Sequence, residues 1–312
     1  QAKDWLRVGA NMSYVNSDSQ SPRAQEVSSS GNMFYVANLM APIYPLYIRD
    51  ADGNVMKDAH GYTMYDFGDR KVTPLRRPFM NNSNPASMIE LDRRNFKSNI
   101  FSGKWYAQIN FLPELKLTYN VGLDADDTRY VNKYNAFYGQ YSDVGGVIYV
   151  GSTRDVAINQ QILMNYNKTF DMHSVEALVG FESYDLKTQS LQGSKEMLYN
   201  PNVSEIDNAI NNPTTYSSTN RYATQGILAR VQYDYADKYF GSASYRRDAS
   251  SRFHKDNRWG NFWSVGAGWL MNKESFLEEA KWIDMLKFKI SYGVQGNDML
   301  LYRGSTTYNY YP

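Results

Sequence analysis

Between residues 99 and 123 apolar and polar side chains alternate almost without a break, and only β-strands with two unlike faces satisfy such a period. Phe101, Gly103, Trp105, Ala107, Ile109 and Phe111 share one face; Ser102, Lys104, Tyr106, Gln108 and Asn110 share the other. After Leu112-Pro113-Glu114 the pattern resumes with Leu115, Leu117, Tyr119, Val121 and Leu123 against Lys116, Thr118, Asn120, Gly122 and Asp124, which predicts a hairpin on a short turn. The same alternation predicts hairpins over 156–181, turning at Asp171-Met172-His173, and over 227–245, turning at Ala236-Asp237-Lys238. Strands at 5–15, 263–271 and 286–294 bring the count to nine. Most match the ~9–11 residues that cross a bilayer rather than the ~5–6 of a soluble strand.

The connections supply a second test. Short links are expected after Phe111, Phe170 and Tyr235, and a compact helical link at 272–284. Long links are expected at 16–95, 128–154 and 189–220, with a shorter one at 251–259, so that short and long alternate along the chain. A membrane barrel separates its links by rim in this way, whereas the Greek-key connections of a soluble sandwich mix lengths at both ends. Phe111, Phe170, Tyr235 and Tyr239 lie beside the short turns, where an interfacial aromatic belt belongs.

Composition narrows the classes further. The chain has 312 residues, 42% hydrophobic and 15% aromatic, with a mean hydropathy of −0.59. Its longest apolar stretch, 34–48, is broken by Asn38, Pro42 and Pro45, far from the ~20 clean residues of a spanning helix. Any crossing of a membrane is therefore by strands. A formal charge of +1 gives no case for nucleic-acid binding, and the absence of Cys excludes disulfides, thiolate metal sites and a cysteine nucleophile. The opening Gln1-Ala2-Lys3-Asp4-Trp5 lacks an initiator Met and the parts of a signal peptide, and reads as the interior of a longer chain. The fold class expected is all-β: an antiparallel transmembrane β-barrel, present in part. A soluble carbohydrate-binding β protein is the alternative that the aromatic content leaves open.

Chemical constellations are few. His60, His173 and His254 lack metal-ligand spacing. Asp50-Ala51-Asp52-Gly53-Asn54 starts like a calcium loop but has Val55 and Gly61 where Gly and Glu are needed, and is read as a hairpin turn. Asp124, Asp126 and Asp127 either hold calcium or end a strand in water; the second is preferred. Glu176 and Glu182 share a strand face but lack the desolvation that glycoside hydrolysis requires, and are read as lining. The sequons at Asn81, Asn167 and Asn202 carry no weight, and Gly145-Gly146 and Gly293-Val294-Gln295-Gly296 are read as loop flexure and strand ends rather than phosphate cradles. No catalytic, cofactor-binding or metal residue is expected, and the chain is read as a non-enzyme.

Tyr245-Arg246-Arg247-Asp248-Ala249-Ser250-Ser251-Arg252-Phe253, Arg258-Trp259-Gly260, Ser264-Val265-Gly266-Ala267-Gly268-Trp269, Glu274-Ser275-Phe276 and the run Trp282 to Asn297 together resemble the barrel of the SusC/RagA family of TonB-dependent outer-membrane transporters of the Bacteroidota. Pro42-Ile43-Tyr44-Pro45-Leu46-Tyr47 with Asp52-Gly53 is similar to a family loop more loosely. The resemblance implies a 22-stranded barrel of which residues 1–312 form about nine strands, with the plug, the TonB-contacting segment and the remaining strands outside this chain. It implies outer-membrane localisation with extracellular long loops, TonB-driven import of a glycan or oligopeptide, a SusD-like surface lipoprotein as partner and membrane lipid around the wall. A passive porin or a surface adhesin on a similar barrel stays open. Cargo of either kind stacks on rings and bonds to polar neighbours. Tyr134, Phe137, Tyr138 and Tyr141, and the terminal Tyr308, Tyr310 and Tyr311, are therefore the candidate cargo contacts, with packing of loop against loop as the competing role.

Overall fold

The computed structural model describes residues 3–21, 32–59, 61–68, 76–81, 83–277, 280 and 282–298. Nine strands form one sheet in sequential order. They are β1 Leu6–Gln20, β2 Arg93–Leu112, β3 Leu115–Tyr134, β4 Val147–Phe170, β5 His173–Leu198, β6 Ala209–Tyr235, β7 Tyr239–Ser250, β8 Trp259–Leu270 and β9 Lys287–Val294. Every neighbouring pair is antiparallel. The expected count and pairing hold, and so does the segregation of short turns to one rim: Pro113-Glu114, Asp171-Met172 and residues 236–238, where Asp171, Ala236 and Asp237 take left-handed φ of 54°, 55° and 53°.

Registration keeps the apolar face intact from strand to strand. Trp105 meets Ala10 and Val121, Tyr119 meets Ile162, Ile162 meets Phe181, and Phe181 meets Ile227. Ala243 then meets Val265, and Val265 meets Tyr292. A one-residue slip anywhere would turn a strand's apolar set inward, so the register is set by the pattern. Val8, Met12, Val179, Val231, Val265 and Ile290 are all exposed on this face, which in water would be one large aggregation surface. Lipid is the solvent that removes the penalty.

The upper edge of this apolar band slants across the sheet. Tyr14 pairs with Phe101, whose row continues through Ala125, Val156 and Lys187 to Arg221. At the other side Val294 ends the band, and its row runs through Trp263 and Tyr245 to Ala229, eight residues along β6 from Arg221. About eight residues of stagger over eight steps, at ~3.3 Å per residue and ~4.8 Å per strand, correspond to a tilt of roughly 35°, as barrel closure requires.

Four strands outrun their sequence signal. β3 continues to Tyr134, and β4, β5 and β6 run for 24, 26 and 27 residues, so the expected loops 128–154 and 189–220 contract to 135–146 and 199–208. Above the apolar band both faces meet water, so the alternation fades while the hydrogen-bonded ladder continues through β-forming Thr214, Thr215, Tyr216 and Thr219. For the same reason Asp124, Asp126 and Asp127 do not end a strand: they lie within β3, and Asp126 accepts from Thr128 Oγ1 at 2.8 Å. The helical link expected at 272–284 shows, among its described residues, only a 3-10 turn, Met271–Lys273.

The β1–β2 link forms a small folded unit of its own at the long-link end. Its two short helices are α1 Met33–Leu39 and α2 Pro85–Glu90. Between them Met56 N–H donates to Ile48 O, Ile48 N–H to Met64 O and Met64 N–H to Met56 O, closing a ring of three extended segments. Asp50 makes the hairpin turn expected of it, accepting from the amides of Asp52 and Asn54, and those bonds hold its carboxyl below the ordinary value. Beneath the ring lies a water-side core of Tyr65, Phe67 and Ala86, with Tyr47, Leu91 and Tyr138 against it.

Candidate functional site

Period two sends Arg246, Asp248 and Ser250 of β7 to the inner face, and the neighbouring strands bring Glu182 and Tyr184 from β5 and Tyr222 from β6 beside them. Arg246 is the hub. Its Nη2 donates to Glu182 Oε2 at 2.7 Å and its Nε to both Asp248 oxygens at 2.8 Å, while Gln161 Nε2 donates to Glu182 Oε1 at 2.8 Å. Room for this arrangement comes from Gly226, where a Cβ would sit 2.2 Å from Asp248 Oδ1.

A second network adjoins it. Tyr222 Oη and Ser250 Oγ both donate to Asp298 Oδ2, and the Arg252 guanidinium lies 4.5 Å from the centre of the Tyr222 ring. Phe262 fills the space left by Gly260 and Gly296, whose added Cβ atoms would fall 2.6 and 2.2 Å from its ring. Together with Phe253 and Asn257 these groups bound an inner-face recess of about 470 Å³. It offers donors, carboxylates and aromatic faces at one place, the mixture that binds a polar organic ligand. Glu182 is thus committed to an ion pair; Glu176 lies in a different recess nearer the short-turn rim, lined also by Lys287 and Lys289. Neither the spacing nor the partners make a hydrolytic carboxylate pair.

The aromatic loop occupies a different position. Tyr134 ends β3 and lies 4.7 Å from the Tyr141 ring and 6.1 Å from Tyr149. Phe137 packs 4.7 Å from Tyr62, and Tyr138 sits 5.5 Å from Tyr65 and 6.3 Å from Phe67 while donating its hydroxyl to Asp58 Oδ2 at 2.9 Å. Burial first, and that hydrogen bond second, push the Tyr138 phenol up to about 12. The four rings are half-buried; Phe137 and Tyr138 join the 135–146 loop to the β1–β2 link, while Tyr134 and Tyr141 pack on each other beside Tyr149. Tyr308, Tyr310 and Tyr311 lie outside the described residues. His173 bonds Tyr233 on the lipid face and His254 faces Asp256, far apart in the chain, while His60 is not among the described residues.

The recess went unrecognised as a site in the sequence although its signal is there: Arg246, Asp248 and Ser250 alternate with the apolar residues of the same strand. The contributions of Glu182, Tyr222 and Asp298 are long-range and have no local signature. Arg246, Asp248, Ser250, Phe253, Gly260 and Gly296 of the recess belong to the runs that carry the family resemblance, whereas Glu182, Tyr222 and Asp298 do not.

A tilted antiparallel sheet, apolar on one face and polar with a recess on the other, is a segment of transmembrane β-barrel wall. No family model matches the chain. It is 32% identical over 232 residues to TonB-dependent receptor P39 of Formosa agariphila, covering 70% of this chain and 21% of that protein. It is 25% identical over 309 residues to TonB-dependent receptor SusC of Bacteroides thetaiotaomicron, covering 94% of this chain and 29% of that one. Among solved structures, the RagAB peptide transporter superposes with a TM-score of 0.76 at 21% identity over 100% of this chain and 32% of its counterpart. The RagAB peptide importer in its open-open state gives 0.73 at 21%, covering 93% and 30%. The chain belongs with the SusC/RagA-like TonB-dependent receptors, outer-membrane β-barrel proteins, and spans between a fifth and a third of the length of these relatives. These relatives are receptors and transporters rather than enzymes, in agreement with the reading of the chain as a non-enzyme.

Proposed function

We propose that the chain is a stretch of barrel wall in an outer-membrane importer that takes up a glycan or oligopeptide, driven through TonB and capped by a SusD-like surface lipoprotein. The observation that carries this reading is the pairing of a predominantly apolar lipid face with an inner wall bearing the Arg246–Glu182–Asp248 hub. β1 and β9 are the free edges of the sheet among the described residues, and a bilayer does not tolerate unpaired strand edges. Further strands of the same barrel close them. On this reading the long links are extracellular, and the 135–146 loop with its β1–β2 partner stands at the mouth, where the lipoprotein meets it.

Within the site the two regions divide the work. The recess, part of which belongs to the runs that carry the resemblance, serves the shared task of the barrel wall. The half-buried rings of Tyr134, Phe137, Tyr138 and Tyr141 present their exposed parts to cargo. The similarity to proteins named as peptide importers supports an oligopeptide, and the mixture of rings and amides suits a glycan equally.

Uptake of a labelled maltooligosaccharide and a labelled oligopeptide by cells carrying the complete receptor tests this reading. Uptake of one of them is expected to stop when the proton-motive force is collapsed. Uptake that persists without it would identify a passive pore. Tyr141→Ala is expected to weaken cargo uptake with barrel assembly intact; unchanged uptake would remove that ring from the site.

A further inference from the structure

Six consecutive strands each carry one outward-facing cation just beyond the apolar band at its long-link edge: Lys97, Arg129, Arg154, Lys187, Arg221 and Arg247 on β2 to β7. They do not lie in one hydrogen-bonded row. Lys97 pairs with Arg129, Arg154 stands one outward position nearer the band, Lys187 pairs with Arg221 nearer still, and Arg247 pairs with Ile227. The cations therefore step along the sheet in the same direction as the slanting edge of the band. With about one residue of stagger per strand, the five from Lys97 to Arg221 hold one depth in a tilted barrel, while Arg247 lies deeper, at the edge of the band itself.

Two of these pairings, Lys97 with Arg129 and Lys187 with Arg221, set like charges directly across from each other, which a sheet in plain solvent pays for in stability. Lys97, Arg129 and Arg221 have carboxylates in Asp18, Glu205 and Asp185. Arg154 and Lys187 form no ion pair among the described residues, although Asp127 stands directly across from Arg154, and Arg247 lies over the Trp259 ring at 5.3 Å. At the short-turn rim the arrangement differs: Lys168, Lys238 and Lys273 face Glu114, Glu274 and Asp237 at 3.3, 3.5 and 3.7 Å. The surplus of positive charge belongs to one edge.

We infer that this slanting row is a binding surface for phosphate-bearing lipid headgroups of the leaflet at the long-link end. Charge complementarity, the common depth of the cations from Lys97 to Arg221 and continuity with the lipid face all identify a headgroup as the occupant: its acyl chains lie on Val156 and Phe181 while its phosphate reaches Arg154 and Lys187 on adjacent strands. The inference rests on the reading of the apolar face as embedded in lipid.

The test is native mass spectrometry of the complete receptor released from nanodiscs of mixed phosphatidylglycerol and phosphatidylcholine. Wild type is expected to retain phosphatidylglycerol preferentially, and the preference to fall roughly fivefold for each cation removed in Arg154→Gln and Lys187→Gln. Lys168→Gln, at the opposite rim, is expected to leave it unchanged. Heat-modifiable gel mobility reports whether each variant has assembled, and Lys187→Arg, which keeps the charge, is expected to retain the preference. Equal retention of the two lipids by wild type, or an undiminished preference in the assembled double variant, would overturn the inference. So would loss of the preference in inorganic phosphate but not in sodium chloride of equal ionic strength, which would mark a site for free anions. Failure of the membrane reading itself gives a different outcome, a receptor that retains neither lipid and stays in the aqueous phase.

Discussion

The sheet and the β1–β2 link are built inside out with respect to each other. On the sheet Val8, Val179, Val265 and Ile290 face outward and the inner wall holds Arg246, Glu182 and Asp248 in ion pairs. In the link Tyr65, Phe67 and Ala86 are buried, and even the polar groups inside are fully engaged: Asn84 donates to Leu46 O and Asp66 O and accepts from the amides of Ala86 and Ser87. Arg77 likewise donates to the carbonyls of Phe67 and Ser83. The same chain thus follows two solvents, lipid around the band and water above it, and each part is stable only in its own.

Substitutions separate the two most sharply on the sheet. Val121→Arg, midway along the lipid face of β3, is expected to cost about 2–4 kcal/mol of barrel stability, while Thr118→Arg on the inner face is tolerated. Folding titrations into detergent or lipid vesicles measure both, and equal damage would erase the distinction of faces. Asn84→Ala removes four hydrogen bonds, two to the carbonyls of Leu46 and Asp66 and two from the amides that start α2, a loss of about 1–3 kcal/mol confined to the link. Limited proteolysis should then nick 32–92 while the barrel keeps its gel mobility; loss of both together would mean that the link is not a separate unit.

Tyr138→Phe removes one hydrogen bond to Asp58 and should loosen the contact between loop and link by about 1 kcal/mol. The smallest effect is that of pH on the same ring. Its phenol is raised in the folded state, so its contribution is complete below the ordinary tyrosine value of 10.0 and is lost as pH rises through about 12. Ultraviolet titration of wild type against Tyr138→Phe should show one late-ionising phenol missing in the variant. If the phenol missing in the variant instead ionises near 10.0, Tyr138 stands in open water.

How much of this was legible followed from the solvent as well. Where one face meets lipid, as from Phe101 to Leu123 and from Val175 to Phe181, alternation marked each strand and its face. Where β5 and β6 rise into water on both sides, Thr188 to Ser194 and Thr214 to Asn220 pair as strands without any apolar period, and they read as loop. The link gave up its Asp50 turn, whose bonds are local, but not its core, since Tyr65, Ala86 and Tyr138 meet only in three dimensions. The recess was half visible for the same reason: Arg246, Asp248 and Ser250 follow the strand period, whereas Asp298 reaches them from beyond β9. The aromatic loop was found, and its contacts with Tyr62, Tyr65 and Phe67 were not, because ring pairs between distant loops leave no trace in local spacing.

The central claim is that the odd-numbered face of β5 lies in lipid and the even-numbered face in the lumen. This segment has no cysteine, and with any thiols elsewhere in the complete receptor replaced by serine, single thiols can be placed one at a time from Val175 to Phe181. A fluorophore attached at each position is then challenged with brominated lipid chains and, separately, with a water-soluble quencher. Quenching by bromolipid at 175, 177, 179 and 181, and by the aqueous agent at 176, 178 and 180, is the expected result. A profile that does not alternate, or one with the two quenchers exchanged, would contradict the account.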